Sequence, residues 1–185
     1  MTIITRRRLP HLYEIGHPLF VTFCLSGSLP PERGFTRASV NSISSFECMD
    51  GKLDSRRQGP LYLQRPDIAE IVATAIQTGG GYQLHEWVIM PNHVHVLFTP
   101  HVAPPQILQR WKGSTARAAN LLLCRTGERF WQEESYDRLV RDAREFEAAS
   151  SYIRMNPVRA GFARAPEEFR WSSAYAGRAL ARHGL

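Results

Sequence analysis

Residues 82 to 100, YQLHEWVIMPNHVHVLFTP, constrain the fold more than any other stretch: two apolar runs stand on either side of the two-residue turn Pro91-Asn92. Runs of this length joined by so short a turn predict an antiparallel β-hairpin. Its second arm, HVHVLFTP, holds two imidazoles in an otherwise apolar strand. Side chains at i and i+2 of a strand emerge on one face, about 6.6 Å apart along the chain. His93 and His95 therefore point one way while Val94 and Val96 point the other.

The neighbouring segments extend the hairpin into a larger pattern. HPLFVTFCLSG reads as a first strand ended by Gly27. RPDIAEIVATAIQTGGG begins with Pro66 at a first-turn position, repeats Ile68, Ile71, Val72 and Ala75 at helical spacing, and stops at a glycine cluster. After the hairpin, PPQILQRWKGSTARAANLLLCRTG predicts a second helix, interrupted by Gly113 and stopped by Gly127. RFWQEESYDRLV then carries a fourth strand, and RDAREFEAASSYIRMNP a further helix whose Asp142 and Glu145 are spaced as a capping box. The order β-α-β-β-α-β with an appended helix predicts a ferredoxin-like α+β fold: a four-stranded antiparallel sheet, helices on one face, and an added C-terminal helix.

A length of 185 residues with 43% hydrophobic content fits one domain over 1–185. Within it, 1–17 reads as a basic N-terminal arm and 28–64, punctuated by proline and glycine, as a loop-rich insertion around a helix near Arg37 to Cys48. The apolar runs fall short of the roughly 20 residues a membrane span needs, and the N-terminus has no apolar signal core, so a cytoplasmic protein is expected. Cys24, Cys48 and Cys124 form no CxxC pair and read as small buried hydrophobes. A formal charge of +6 suits a polyanionic partner, because basic side chains that neutralise phosphates gain affinity by releasing counterions.

Two neutral imidazoles fixed on one strand can chelate a divalent metal, although a histidine pair on a half-exposed strand has the same pattern. The last helix offers companions. Tyr152 and Asn156 are four residues apart and lie one above the other on a single face. On the same wheel Phe146, Ala149 and Ile153 form the apolar stripe, which places Tyr152 at its edge. Read singly, Tyr152 is an amphipathic core-edge tyrosine and Asn156 a helix-ending residue before Pro157.

Taken together, WVIMPNHVHVLF and YIRMNPVRAGF resemble the REP-associated tyrosine transposases, single-tyrosine members of the HUH (His-hydrophobic-His) endonuclease superfamily. The similarity extends through RRRLPH, FVTFCLSGSLP, WKGSTARAAN and FWQEESYDRLVRD. The resemblance implies a metal-dependent DNA strand transferase: His93, His95 and Asn156 as ligands of Mg²⁺ or Mn²⁺, and Tyr152 as the nucleophile that forms a 5′-phosphotyrosine. Relatives in the wider superfamily carry glutamine where Asn156 stands. Single-stranded or REP-like hairpin DNA is the implied partner, bound by a monomer or a homodimer. Arg6, Arg7 and Arg8 of the arm, Arg110, Lys112 and Arg117 of the second helix, and Arg154 and Arg159 beside the tyrosine are the candidate DNA contacts. Tyr136, beside charged neighbours on a strand, reads as structural or DNA-contacting. Two other readings remain open at this level: a catalytically silent DNA- or RNA-binding ferredoxin-like module, and a hydrolase of small phosphodiesters using the same histidines.

Overall fold

A computed structural model describes residues 2–6, 10–28 and 59–177. Arg7, Arg8 and the helix expected near residues 37–48 lie outside the described residues. Strands β1 (Thr2–Arg6) and β2 (Pro10–Glu14), within the stretch read as a basic arm, pair antiparallel as a two-stranded sheet. The main body runs β3 (Leu19–Cys24), α1 (Pro66–Thr78), β4 (Tyr82–Ile89), β5 (His93–Pro100), α2 (Pro104–Leu122), β6 (Tyr136–Leu139) and α3 (Ala143–Arg159). Its four strands form one sheet in the order β4-β5-β3-β6, with every neighbouring pair antiparallel. This is the ferredoxin-like arrangement, and the α+β class stands as expected. Among the described residues no helix is long and apolar enough to cross a membrane.

The sheet is covered on both faces, and strand alternation decides what each face receives. Leu19, Val21 and Phe23 of β3, Trp87 and Ile89 of β4, and Val94, Val96 and Phe98 of β5 pack against Ile68, Val72 and Ile76 of α1 and Ile107 and Trp111 of α2. The intervening residues face α3, whose Tyr152 and Ile153 cluster with Phe20, Val88, Met90, Leu97 and Tyr136. One irregularity changes the alternation in β4. Leu84 pairs with Phe98 and Glu86 with Leu97, so His85 is an extra residue in a β-bulge. Leu84 consequently packs with the α1/α2 core, while Glu86 turns its carboxylate to α3.

Helix ends follow local chemistry. Pro66 and Pro104 open α1 and α2 at positions where a missing N–H costs nothing. Asp142 caps α3 by accepting from the Glu145 N–H at 2.7 Å, and the Glu145 carboxylate in turn accepts from the Arg141 N–H. The α1–β4 turn requires Gly81: its φ is +88°, and a Cβ there would lie 2.8 Å from Val102. Two expectations for α2 are corrected. The helix runs through Gly113 without a break, since open space surrounds that residue and glycine lowers propensity by only about 1 kcal/mol. It also ends at Leu122, five residues before Gly127. Cys124 takes the left-handed position at φ 53°, with its N–H on the Leu121 carbonyl and the Arg125 N–H on that of Asn120. Those two bonds form a Schellman closure, with a cysteine where glycine is usual.

The left-handed conformation strains any residue with a Cβ by about 1 kcal/mol. Cys124→Gly should therefore raise unfolding free energy by about that amount in a urea titration. Cys124→Ala, which keeps the Cβ, should leave it unchanged.

Candidate active site

The register of the sheet builds the floor of the site. Val88 of β4, His95 of β5, Thr22 of β3 and Tyr136 of β6 stand in one transverse row, and His93 faces Cys24 one step along. Both imidazoles are fully buried, with ring centroids 4.7 Å apart, and Phe20 stacks on His95 at 5.6 Å. Each ring is anchored through Nδ1: His93 to Asn92 Oδ1 and His95 to Thr22 Oγ1, both at 2.7 Å. An amide oxygen only accepts, so His93 Nδ1 carries the proton and its Nε2 the lone pair. Asn156 Nδ2 lies 3.5 Å from His95 Nε2, which gives His95 the same tautomer.

α3 lies over this floor and brings down the tyrosine. The Tyr152 ring sits 5.7 Å from His95 and 6.1 Å from Phe20, both edge-on. Ala148 and Ala149, one turn earlier, leave a small cavity beside the phenol that is also lined by Phe20, Arg138, Val140 and Glu145. Tyr152 and Asn156 are only 6% and 2% exposed, so the placement of Tyr152 at the edge of the buried stripe is corrected: it belongs to the contact face. That face is Ser150, Tyr152, Ile153, Asn156 and Pro157, with Phe146 and Ala149 only partly buried. An apolar wheel misses it because the sheet beneath α3 is itself polar, offering Thr22, Glu86, His93 and His95. The helix also continues past Asn156 through Pro157 to Arg159, so Asn156 is not a helix-ending residue.

The other predicted residues divide. Arg159 places its guanidinium 5.2 Å from the centre of the Tyr152 ring. Arg154 is turned away from the histidines and bonds Glu86 at 2.8 Å through Nε. Lys112 donates to the Glu133 carbonyl at 2.8 Å and to Ser135 Oγ at 3.2 Å, which ties it to the loop before β6. Arg110 and Arg117 are exposed on α2, across the sheet from the imidazoles. Arg6 ends β1. The sequence reading did not single out Asn92 and Thr22, which orient the two imidazoles, or Phe20 and Glu86. Their signals were present: Thr22 is the polar residue of an apolar strand, and Glu86 a carboxylate between Leu84 and Trp87.

A ferredoxin-like sheet bearing two strand imidazoles beneath a helix tyrosine and amide is the setting in which the comparisons with known proteins fall. A family model described as "Transposase IS200 like" matches residues 59–156, more than half of the chain. The chain belongs to that family of transposases. Among curated proteins it is similar to the REP-associated tyrosine transposase of Escherichia coli (strain K12), 22% identical over 95 residues, a match covering 50% of this chain and 54% of that protein. The aligned part thus spans about half the length of that relative. Among solved structures, a REP-associated tyrosine transposase bound to a REP hairpin superposes with a TM-score of 0.62 at 17% identity, covering 96% of this chain and 86% of the other.

Tyr136 shares the α3-facing side of the sheet but stands two strands from His95, roughly 10 Å away at the usual strand spacing. It is 2% exposed, and burial pushes its phenol up to about 12. An unfolded tyrosine ionises near pH 10. Above that pH the unfolded chain releases a proton that the native chain retains, so stability falls as pH rises from about 10 to 12. Tyr136→Phe should flatten that fall in urea titrations run across the window.

Proposed function

We propose that the chain cleaves and rejoins DNA strands by transesterification, with Tyr152 as nucleophile. The observation that carries this reading is the seating of the Tyr152 ring 5.7 Å from His95 while Asn156, one turn on, reaches the same imidazole at 3.5 Å. His93, His95, Tyr152 and Asn156 meet within one chain, which supports a site assembled within a single subunit. In the step, the Tyr152 oxygen forms a bond to the scissile phosphorus, the P–O3′ bond breaks, the phenolic proton is lost and the released 3′ oxygen gains one. The product is a 5′-phosphotyrosine and a free 3′-OH, and attack by another 3′-OH reverses the step without an external energy source. Single-stranded DNA beside a hairpin of the REP type is the proposed substrate, in keeping with the hairpin held by the similar solved structure.

The donor set fits a divalent cation. His93 and His95 would hold it through Nε2, because both Nδ1 atoms are anchored elsewhere, and Asn156 would add its amide oxygen once its amide, whose nitrogen now faces His95, turns over. Among the described residues no cluster of three His, Cys, Asp or Glu is present, so the set is neutral, and DNA phosphates would supply the balancing charge. Imidazole nitrogens make Mn²⁺ a better match than Mg²⁺, which favours oxygen. The cation would shield and polarise the non-bridging phosphate oxygens as a Lewis acid. Arg159, against the Tyr152 ring, is the predicted DNA contact best placed to reach the same phosphate.

Tyr152→Phe removes only a hydroxyl, so hairpin binding should persist while the covalent protein–DNA adduct disappears from denaturing gels. A substrate labelled 3′ of the scissile bond should transfer its label to the wild-type protein. An adduct formed by Tyr152→Phe, or label found only on the released fragment, would refute the assignment. His93→Ala and His95→Ala should each abolish the adduct with little change in DNA affinity, because phosphate contacts spread over the surface dominate that affinity. Chelation should have the same effect as either substitution.

A further inference from the structure

We propose that Glu86 is a positioning residue: it sets the rotation of α3 about its own axis and thereby keeps Tyr152 and Asn156 facing His93 and His95. This rests on the strand-transfer reading above.

Glu86 stands on the α3 side of the sheet in regular alternation with Val88 and Met90, just past the bulge at His85, and it is 8% exposed. Three residues donate to its carboxylate: Ser150 through Oγ at 3.1 Å and Arg154 through Nε at 2.8 Å and Nη2 at 2.5 Å on Oε1, and Ser173 through Oγ at 2.5 Å on Oε2. Two come from α3. The third comes from the segment after α3, which bonds β4 through the Ser173 N–H to the Trp87 carbonyl at 2.9 Å. Glu86 therefore joins a strand, a helix and a C-terminal strap at one carboxylate.

The helical wheel makes this an orienting device. At about 100° per residue, Ser150 and Arg154 lie roughly 80° to one side of Ile153, and Tyr152 and Asn156 roughly 80° to the other. Ile153 is fully buried between the two pairs. An isoleucine on an apolar surface has little rotational preference, since dispersion and burial are nearly non-directional. The bonds on the Glu86 flank are directional, and a helix rolled out of register would leave a buried carboxylate short of donors. A roll of about 10° would move the tyrosine oxygen, roughly 8 Å from the axis, by more than 1 Å. Misplacement on that scale costs an enzyme about a hundredfold.

The test uses the full chain with Glu86→Gln, which keeps the shape and removes the charge, and Ser150→Ala as a milder variant in case the first fails to fold. Single-turnover adduct formation at saturating hairpin DNA should slow by at least about tenfold in Glu86→Gln, with the hairpin Kd within about twofold. A purely structural role would lower the thermal midpoint without this split between rate and affinity. A second readout is independent of cleavage: the His95 imidazole resonances of ¹³C-histidine-labelled protein, which feel the ring currents of Phe20 and Tyr152. They should shift in Glu86→Gln, and by less in Ser150→Ala. Wild-type rates together with wild-type His95 resonances would overturn the proposal, as would a rate loss accounted for by Kd or by unfolding alone. If the wild-type chain forms no adduct, the strand-transfer reading fails, and the His95 resonances alone decide whether Glu86 seats α3.

Discussion

The antiparallel register of β3 on β5, with Thr22 opposite His95, is the constraint on which the site depends. It brings a hydroxyl beside an imidazole and leaves Nε2 as the nitrogen turned to α3. A slip of one residue would exchange the faces of β5, driving both histidines into the α1/α2 core and pushing Val94, Val96 and Phe98 toward α3. What forbids that slip is the apolar half of the same strands. Val21, Phe23, Val94, Val96 and Phe98 are all at most 1% exposed. Burying a side chain of this size is worth about 1.5–3 kcal/mol. The histidines owe their positions to side chains on the opposite face of the sheet.

The two faces of the sheet hold the fold together by different means. Toward α1 and α2 the packing is aromatic and aliphatic, with Trp111 within about 5 Å of both Phe98 and Tyr82. Toward α3 the interface mixes Phe20, Val88, Leu97 and Ile153 with Thr22, Glu86, Ser150 and Asn156. Polar groups specify one arrangement where apolar groups tolerate several, and this face must seat a helix to within a fraction of an ångström.

Much of this was legible in the sequence. The Pro91-Asn92 hairpin, the His-x-His face, the proline-led helices and the Asp142 cap follow from local rules of period and punctuation, and each lies where those rules put it. Properties that depend on a partner surface were not legible. The wheel of α3 placed Tyr152 at an edge because it scored apolarity, and could not know that the opposing strands present a carboxylate and two imidazoles. The break in alternation that sends Leu84 to one face and Glu86 to the other comes from a bulge that no residue type announces. The sequence offers the charge of Lys112 but not the bond its ammonium makes to a carbonyl more than twenty residues away. The end of α2 was misplaced because glycine is the usual left-handed residue, and here a cysteine occupies that position.

The strap that carries Ser173 has a second effect, on sheet growth. β4 is an outer strand, and an outer strand normally presents unpaired amides and carbonyls that can recruit another chain. Here Trp171 accepts from the Ile89 N–H at 2.8 Å, Ser173 donates to the Trp87 carbonyl, and Ser172 bridges Val88. The stretch of β4 nearest the histidines is thus already occupied by the chain's own backbone. Strand-to-strand addition of a second molecule is blocked there, so copies of this protein can meet at high concentration without their sheets fusing through that edge.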